Sequence, residues 1–291
     1  MEDMPSTGTP GLIAWAARYL EENGVVRPRL NAEQLLSHCT GRSRVELYAY
    51  HDRPVSMRER GEFAELLRRR AAREPLQYIT GRKGFRYLEL AVDRRVLIPR
   101  PETETLVERA VSALGAFPGH PLAVDVGTGS GCIALSLARE CPAAVVCATE
   151  ISAEALEVAR MNARLLGLDD AVEFRRGDLL DALPDELKGR IDVIVSNPPY
   201  VREGDFPSLP PEVREHEPRI SLVAGPSGTE THHRLMGQAP LWLAPGGLLL
   251  MEGGEEQVEG LAREAAGFGF TVAEVHADLN GRPRIVEMRR G

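Results

Sequence analysis

Cysteine is scarce in this chain of 291 residues: four thiols, Cys39, Cys132, Cys141 and Cys147, none in a C-x-x-C pair and all in apolar surroundings. That excludes a disulfide scaffold and predicts buried free thiols in a reducing cytoplasm. The seven histidines lack ligand spacing. His232 and His233, being adjacent, face different sides of a helix, so no metal site is expected. Long apolar runs are missing too, the stretch 246–251 being among the longest and far too short to span a bilayer. No basic-then-apolar segment opens the chain, so neither a membrane span nor a secretory signal is expected, and residues 1–10 read as a frayed start. Basic charge is not in excess: Lys and Arg total 35 against 43 Asp and Glu, a formal net charge of −8. A protein that gains its affinity by neutralising nucleic-acid phosphates would not carry that balance, and no direct nucleic-acid partner is expected.

With 43% hydrophobic and 27% charged residues, the chain has the composition of a globular protein and the length for two domains. Residues 11–74 are patterned as helices. Leu12, Ile13, Ala16, Tyr19 and Leu20 recur at helical spacing; Ala32, Leu35, Leu36 and Cys39 do so after Asn31, read as an N-cap. Phe63, Leu66 and Leu67 mark a further helix, whose outward face carries Arg68, Arg69, Arg70 and Arg73. Such a run reads as a solvated face, open to an acidic partner. From Pro75 to Val96, glycines at 81 and 84 and the alternation Tyr87 to Val92 suggest a hairpin bridging two domains. Pro99 and Pro101 then pin the approach to a helix over about 105–114, with Glu102 and Glu104 at its positive end.

From Pro121 strands and helices alternate, the pattern of a doubly wound parallel α/β sheet. Strands are expected over 122–126, 144–149, 172–175, 191–197, 247–251, 270–276 and 284–288, the last two joined as an antiparallel hairpin. Helices are expected over 132–140, 153–166, 231–243 and 255–266. In such sheets ligands bind outside the carboxyl ends of the strands. The first strand ends in Gly127-Thr128-Gly129-Ser130-Gly131, bare backbone at a helix start. The second ends in Glu150, a carboxylate for two ribose hydroxyls, and the third in Gly177-Asp178, placed for an adenine edge. No Lys-Ser/Thr pair follows the glycines, so a polyphosphate is disfavoured and a nucleoside without pyrophosphate, S-adenosylmethionine, fits best. The fourth strand stops at Ser196-Asn197-Pro198-Pro199-Tyr200, because neither proline donates to a sheet ladder. Asn197 and Tyr200 thus project from a stiff loop able to hold a planar hydrogen-bonding group.

These residues carry a resemblance. Residues 75–81 (PLQYITG), 97–104 (LIPRPETE), 127–136 and 195–200 resemble the peptide-chain release factor glutamine N5-methyltransferases, a family of class I S-adenosylmethionine-dependent methyltransferases. The resemblance runs from about Leu12 to the C-terminus. It implies a Rossmann-like seven-stranded methyltransferase sheet with its last strand antiparallel, a small N-terminal all-α bundle and a β-hairpin linker. The corresponding domains are 1–75 for substrate recognition, 76–96 for the linker and 97–291 for cofactor binding and catalysis. The substrate it implies is the glutamine of the Gly-Gly-Gln loop of release factors 1 and 2, with S-adenosyl-L-homocysteine as product, no metal and a monomeric enzyme in the cytoplasm. Carried over by position, Gly127, Thr128, Gly129, Ser130, Gly131, Glu150, Asp178, Leu179 and Asn197 bind the cofactor, with Phe85, Arg100, Glu102 and Thr103 lining its side of the cleft. Asn197, Pro198, Pro199 and Tyr200 hold the glutamine.

The expected chemistry is orientation: the Asn197 oxygen and the Pro198 carbonyl accept the two N–H bonds of the substrate amide, and Tyr200 packs against its side chain. Three departures stand out. Glu150 replaces a more usual aspartate, residues 225–230 (GPSGTE) differ from the glycine-rich run of relatives, and His216 replaces a common tyrosine. Other readings are weaker. A ribosomal-protein glutamine methyltransferase would share the catalytic loop. A nucleic-acid amino methyltransferase is disfavoured by the acidic charge, a non-enzymatic cofactor-binding regulator by the needless Asn197 and prolines, and a nicotinamide dehydrogenase by the glycine spacing.

Overall fold

Helices open the chain. In the computed structural model, which describes residues 8–291, they are α1 Thr9–Glu22, α2 Pro28–Thr40, α3 Arg44–Ala49, α4 Met57–Ala71 and α5 Leu76–Thr80. Prolines with preset φ start α1 and α2. Capping boxes start α3 and α4, Ser43 with Glu46 and Ser56 with Glu59. Leu12, Leu20, Leu35, Leu36, Phe63 and Leu67 close one apolar core between them.

The rest follows in order as β1 Arg82–Phe85, β2 Leu88–Ala91, α6 Pro101–Leu114, β3 Leu122–Val126, α7 Cys132–Glu140, β4 Val145–Glu150, α8 Ala153–Leu166, β5 Val172–Arg176 and β6 Ile191–Ser196. Then come β7 Val201–Arg202, α9 Pro211–His216, β8 Val223–Gly225, α10 Glu230–Trp242, β9 Leu243–Glu252, α11 Val258–Glu264, β10 Phe270–Ala277 and β11 Pro283–Arg290. The chain forms two compact units. One comprises the residues up to Gly81 together with Pro210–His216; the other comprises Arg82–Leu209 and Glu217–Gly291.

Several expectations for the first unit are corrected. Thr9 and Pro10 already belong to α1, while residues 1–7 of the expected frayed start lie outside the described residues. Asn31 is not an N-cap, because Pro28 starts α2 a turn earlier; its amide donates instead to the carbonyls of Val26 and Arg27. Residues 76–80, expected within the hairpin stretch, form α5, closed by Gly81 at φ +73°. Arg70 does not face solvent, and Arg73 is half-buried on an ion pair. Arg70 is 6% exposed and donates to Asn31 Oδ1 at 2.8 Å and to Glu212 of α9, and Arg73 holds Glu212 through both Nε and Nη2.

The second unit is built on a seven-stranded sheet of order β10-β11-β9-β6-β3-β4-β5. β3, β4, β5, β6 and β9 pair in parallel, and β11 runs antiparallel to both β9 and β10. Successive residues serve opposite faces, as the pleat dictates. Ala123, Val193, Val195, Leu248 and Leu250 meet Leu106 of α6, Ile133 of α7 and Ala163 of α8 on one face. Val124, Val126, Ile194, Leu249 and Met251 meet Leu235 and Met236 of α10 and Val258 and Leu261 of α11 on the other. The order reverses between β3 and β6, so the tips of those two strands flank the crevice where such sheets bind ligands. Among the described residues, no helix is long and apolar enough to cross a membrane.

Candidate active site

A cavity of about 230 Å³ opens at the carboxyl ends of β3, β4, β5 and β6. Gly127 and Gly129, Glu150, Asp178 and Leu179, and Asn197, Pro198 and Pro199 all line it. Four strand ends thus converge on one hollow, as their places in the sheet require.

Backbone and carboxylate are fixed against each other there. Gly127 and Thr128 both donate to the Thr149 carbonyl, at 2.9 and 3.0 Å. Glu150 is 8% exposed; its Oε2 accepts the Gly129 N–H and its Oε1 the Ser152 N–H, each at 2.9 Å. One lone pair on each oxygen is spent on positioning, leaving the outward ones for a diol. Beneath the turn lies Asp125, fully buried, with Oδ2 accepting from Thr128 Oγ1 at 2.6 Å and the Ala134 N–H at 3.1 Å. Burial pushes its carboxyl up to about 7. Gly131 has φ +84°, and a Cβ there would stand 3.0 Å from Leu135 Cδ1 and 3.3 Å from Ala159 Cβ, so this glycine serves the packing of α7 on α8.

At the tip of β5, Leu179 adopts φ +49°, a costly conformation for a bulky residue, and lines the cavity while packing on the core below. Asp178 pairs with Arg234 of α10 at 2.6 Å, and both line the hollow. At the tip of β6, the Asn197 amide donates through Nδ2 to Thr103 Oγ1 at 3.0 Å, and the Thr103 hydroxyl donates to Glu252 Oε2 at 2.7 Å. Glu252 ends β9, the strand next to β6, and is 1% exposed. Burial pushes it up to about 7, the Thr103 hydrogen bond holding it back. His232 fastens the same strand end: fully buried and pushed down to about 4 by burial, it is neutral, and its Nε2 donates to the Glu252 carbonyl at 2.8 Å. Its neighbour His233 instead faces outward, 2.6 Å from Glu264.

Other expected residues stand behind the cavity wall. Thr128, Ser130 and Gly131 belong to the turn's inner side. Phe85 is 1% exposed and packs with Leu88 and Leu90 in the core, because its strand partner position turns it inward. Arg100 is committed to Glu217, Nη2 to Oε1 at 2.6 Å, whose other oxygen accepts the Ile98 N–H at 3.3 Å. That grip secures the segment whose Pro218, Ile220 and Ser221 form the opposite wall. Glu102 sits in the first turn of α6 away from the hollow. Tyr200 is pushed up to about 12 by burial, and its carbonyl accepts Gln257 Nε2 at 3.1 Å. The same Nε2 reaches the Gly228 carbonyl at 3.2 Å, so the divergent run 225–230 is tied through Gln257 to the Asn-Pro-Pro-Tyr loop. A Cβ at Gly228 would stand 2.7 Å from the Tyr200 oxygen. Among the described residues no cluster of His, Cys, Asp and Glu could hold a metal ion.

Residues 11–81 match the model of the PrmC N-terminal domain and residues 109–208 that of the methyltransferase small domain. A release factor glutamine methyltransferase of Chlorobaculum tepidum is 41% identical over 276 residues, 92% of each chain. One of Geobacter sulfurreducens is 41% identical over 280 residues, 96% of each. The chain belongs to the release factor glutamine methyltransferase family. It is an α/β methyltransferase with the seven-stranded sheet expected of that family. A methyltransferase of Pyrococcus furiosus, 20% identical, shares this fold with a TM-score of 0.52 over 70% of this chain and 89% of its own.

Glu252 was the residue missed from sequence. It obeys the same rule as Glu150, a lone carboxylate directly after an apolar strand. The expected strand stopped at Met251, one residue short of it.

Proposed function

We propose that this chain transfers a methyl group from S-adenosylmethionine to the side-chain amide nitrogen of the glutamine in the Gly-Gly-Gln loop of peptide-chain release factors 1 and 2. It acts in the cytoplasm as a monomer on protein rather than nucleic acid, consistent with its net charge of −8. The observation that carries the reading is Asn197, held at the rim of a nucleoside-sized hollow with its oxygen unclaimed: among the described residues, Asn197 Oδ1 has no hydrogen-bond partner.

The hollow fits the cofactor. Glu150 offers two pre-positioned oxygens to a ribose, Gly127 and Gly129 bring backbone close, and Leu179 offers an apolar face to a base. Asp178, already paired with Arg234, presents its remaining lone pairs at the adenine end. When bound, S-adenosylmethionine supplies a methyl on a sulfonium, and the sulfur keeps the bonding pair as the homocysteine product forms. What the protein must supply is aim. An amide nitrogen is a weak nucleophile, its lone pair delocalised into the carbonyl. Asn197 Oδ1 and the Pro198 carbonyl would accept its two N–H bonds, orienting the nitrogen and stabilising the positive charge that develops on it before a proton leaves. Pro198 and Pro199 keep those acceptors rigid. The residues up to Gly81, with Pro210–His216, serve as the substrate-recognition unit.

Methyl transfer from labelled cofactor to a purified release factor tests this, beside a release factor whose Gly-Gly-Gln glutamine is alanine. Label on the first and none on the second is expected. Label on neither, with label on a ribosomal protein, would replace the substrate.

A further inference from the structure

A hydroxyl has one proton to give. The Thr103 proton goes to Glu252 Oε2 at 2.7 Å, so only lone pairs remain for Asn197, which must present its NH2 to Thr103 Oγ1, as it does at 3.0 Å. With Glu252 ionised, the direction of both bonds is set by the carboxylate at the end of the relay. An amide with its nitrogen turned to Thr103 has its oxygen on the opposite side, and Asn197 lines the cavity. Were the hydroxyl proton pointed the other way, the amide would turn over and present N–H to a substrate that itself brings N–H.

We infer that Thr103 and Glu252 are positioning residues for Asn197, the buried carboxylate orienting the Thr103 hydroxyl and the hydroxyl orienting the amide so that its oxygen faces the substrate. This rests on the reading that Asn197 Oδ1 accepts a substrate N–H. The anchoring of the relay is independent of the cavity. Glu252 is 1% and Thr103 is 1% exposed, and His232 pins the carbonyl of Glu252 from behind. Neither Thr103 nor Glu252 lines the hollow, so neither is placed to touch the cofactor or the substrate. A buried carboxylate that does no more than end a strand would be better replaced by an amide or an apolar side chain, since burial without a cation is costly.

Steady-state kinetics of full-length Thr103→Val, Thr103→Ser, Glu252→Leu and Asn197→Ala, with cofactor affinity measured by calorimetry, test the relay. Thr103→Val keeps shape and removes the hydroxyl; kcat is expected to fall about ten- to a hundredfold, as small misalignments of reacting groups do, while cofactor Kd stays within about twofold. Thr103→Ser restores kcat. The pair Thr103→Val with Asn197→Ala loses no more than Asn197→Ala alone, since both remove one unit. Wild-type kcat in Thr103→Val beside an inactive Asn197→Ala overturns the relay and leaves the proposed reaction standing. Wild-type kcat in Asn197→Ala instead removes the proposed chemistry. Equal loss of cofactor affinity and kcat without rescue by serine would make Thr103 merely structural. Should Thr103→Val not fold, Glu252→Leu carries the test: it leaves the Thr103 hydroxyl no carboxylate to donate to, kcat falls with cofactor Kd unchanged, and a normal kcat overturns the inference.

Discussion

Asn162 holds Ala91 from both sides, its Nδ2 donating to the Ala91 carbonyl at 3.0 Å and its Oδ1 accepting the Ala91 N–H at 2.7 Å. A fully buried helix side chain thereby stands in for a strand neighbour at the end of β2, and the same Nδ2 donates to the Ser130 carbonyl at 2.9 Å in the glycine turn. Asn162→Leu fills the volume and takes the Asn162 partner from three backbone groups, the buried Ser130 carbonyl and the part-buried N–H and carbonyl of Ala91. We expect a loss of about 3 kcal/mol of stability, read as a lower urea midpoint with unchanged slope.

Glu150 is set to bind by two backbone donors, so its charge and its length are separable. Glu150→Asp keeps the acceptors with one methylene less and should weaken cofactor binding only a few-fold. Glu150→Ala should weaken it about ten- to a hundredfold, the worth of charged hydrogen bonds. Calorimetric titration with S-adenosylhomocysteine checks both, and equal affinity in Glu150→Ala would remove the residue from the site.

Glu212 of α9 should give acid lability to the first unit. Burial alone would raise its carboxyl, but hydrogen bonds from Arg73, from its own backbone and from Arg70 bring it down to about 2 from an ordinary 4.5. A group whose folded pKa is depressed contributes stability that is full above about 4.5 and lost as pH falls toward 2. The difference in denaturation midpoint between the protein and Glu212→Gln should therefore be largest near neutrality and shrink through that window. A difference independent of pH would contradict the assignment.

The thiols should be silent. Burial pushes Cys39 and Cys132 up to about 12 and Cys147 up to about 11, with nearby carboxylates adding to the effect. The thiolate is the reactive form. A disulfide reagent at pH 8 should modify these three only after denaturant is added, and mass spectrometry would locate any that react earlier.

Gly127, Glu150, Asp178 and Asn197 were legible because each follows an apolar strand, and in a parallel sheet strand ends share one edge. Position along the chain was enough to bring them together. The Thr103 hydroxyl was not legible in the same way. The resemblance alone places it among the residues on the cofactor side of the cleft, and its direction depends on Glu252, a residue 149 positions away. Arg70 and Arg73 failed for the same reason. A run of arginines looks solvated until a carboxylate 139 residues or more downstream folds onto it. Phe85 illustrates the limit of carry-over by position, since its ring is taken up by the core and does not line the cavity. The positive φ of Leu179 had no signal at all, because nothing in a leucine announces a left-handed backbone.

The assignment of Pro210–His216 to the unit formed by the first helices has a practical consequence for dissecting the molecule. A truncation that begins at Arg82 is not a clean excision of one folding unit. It would carry Pro210–His216 as an orphaned insert, Glu212 stripped of both guanidinium groups, within the loop between Tyr200 and the Arg100-bound Glu217. The complementary fragment, ending at Gly81, would leave Arg70 buried without its counter-ion. Neither half is expected to express as well as the whole, and mixing the two separately made fragments would be a complementation experiment in which that short insert must find its own way home.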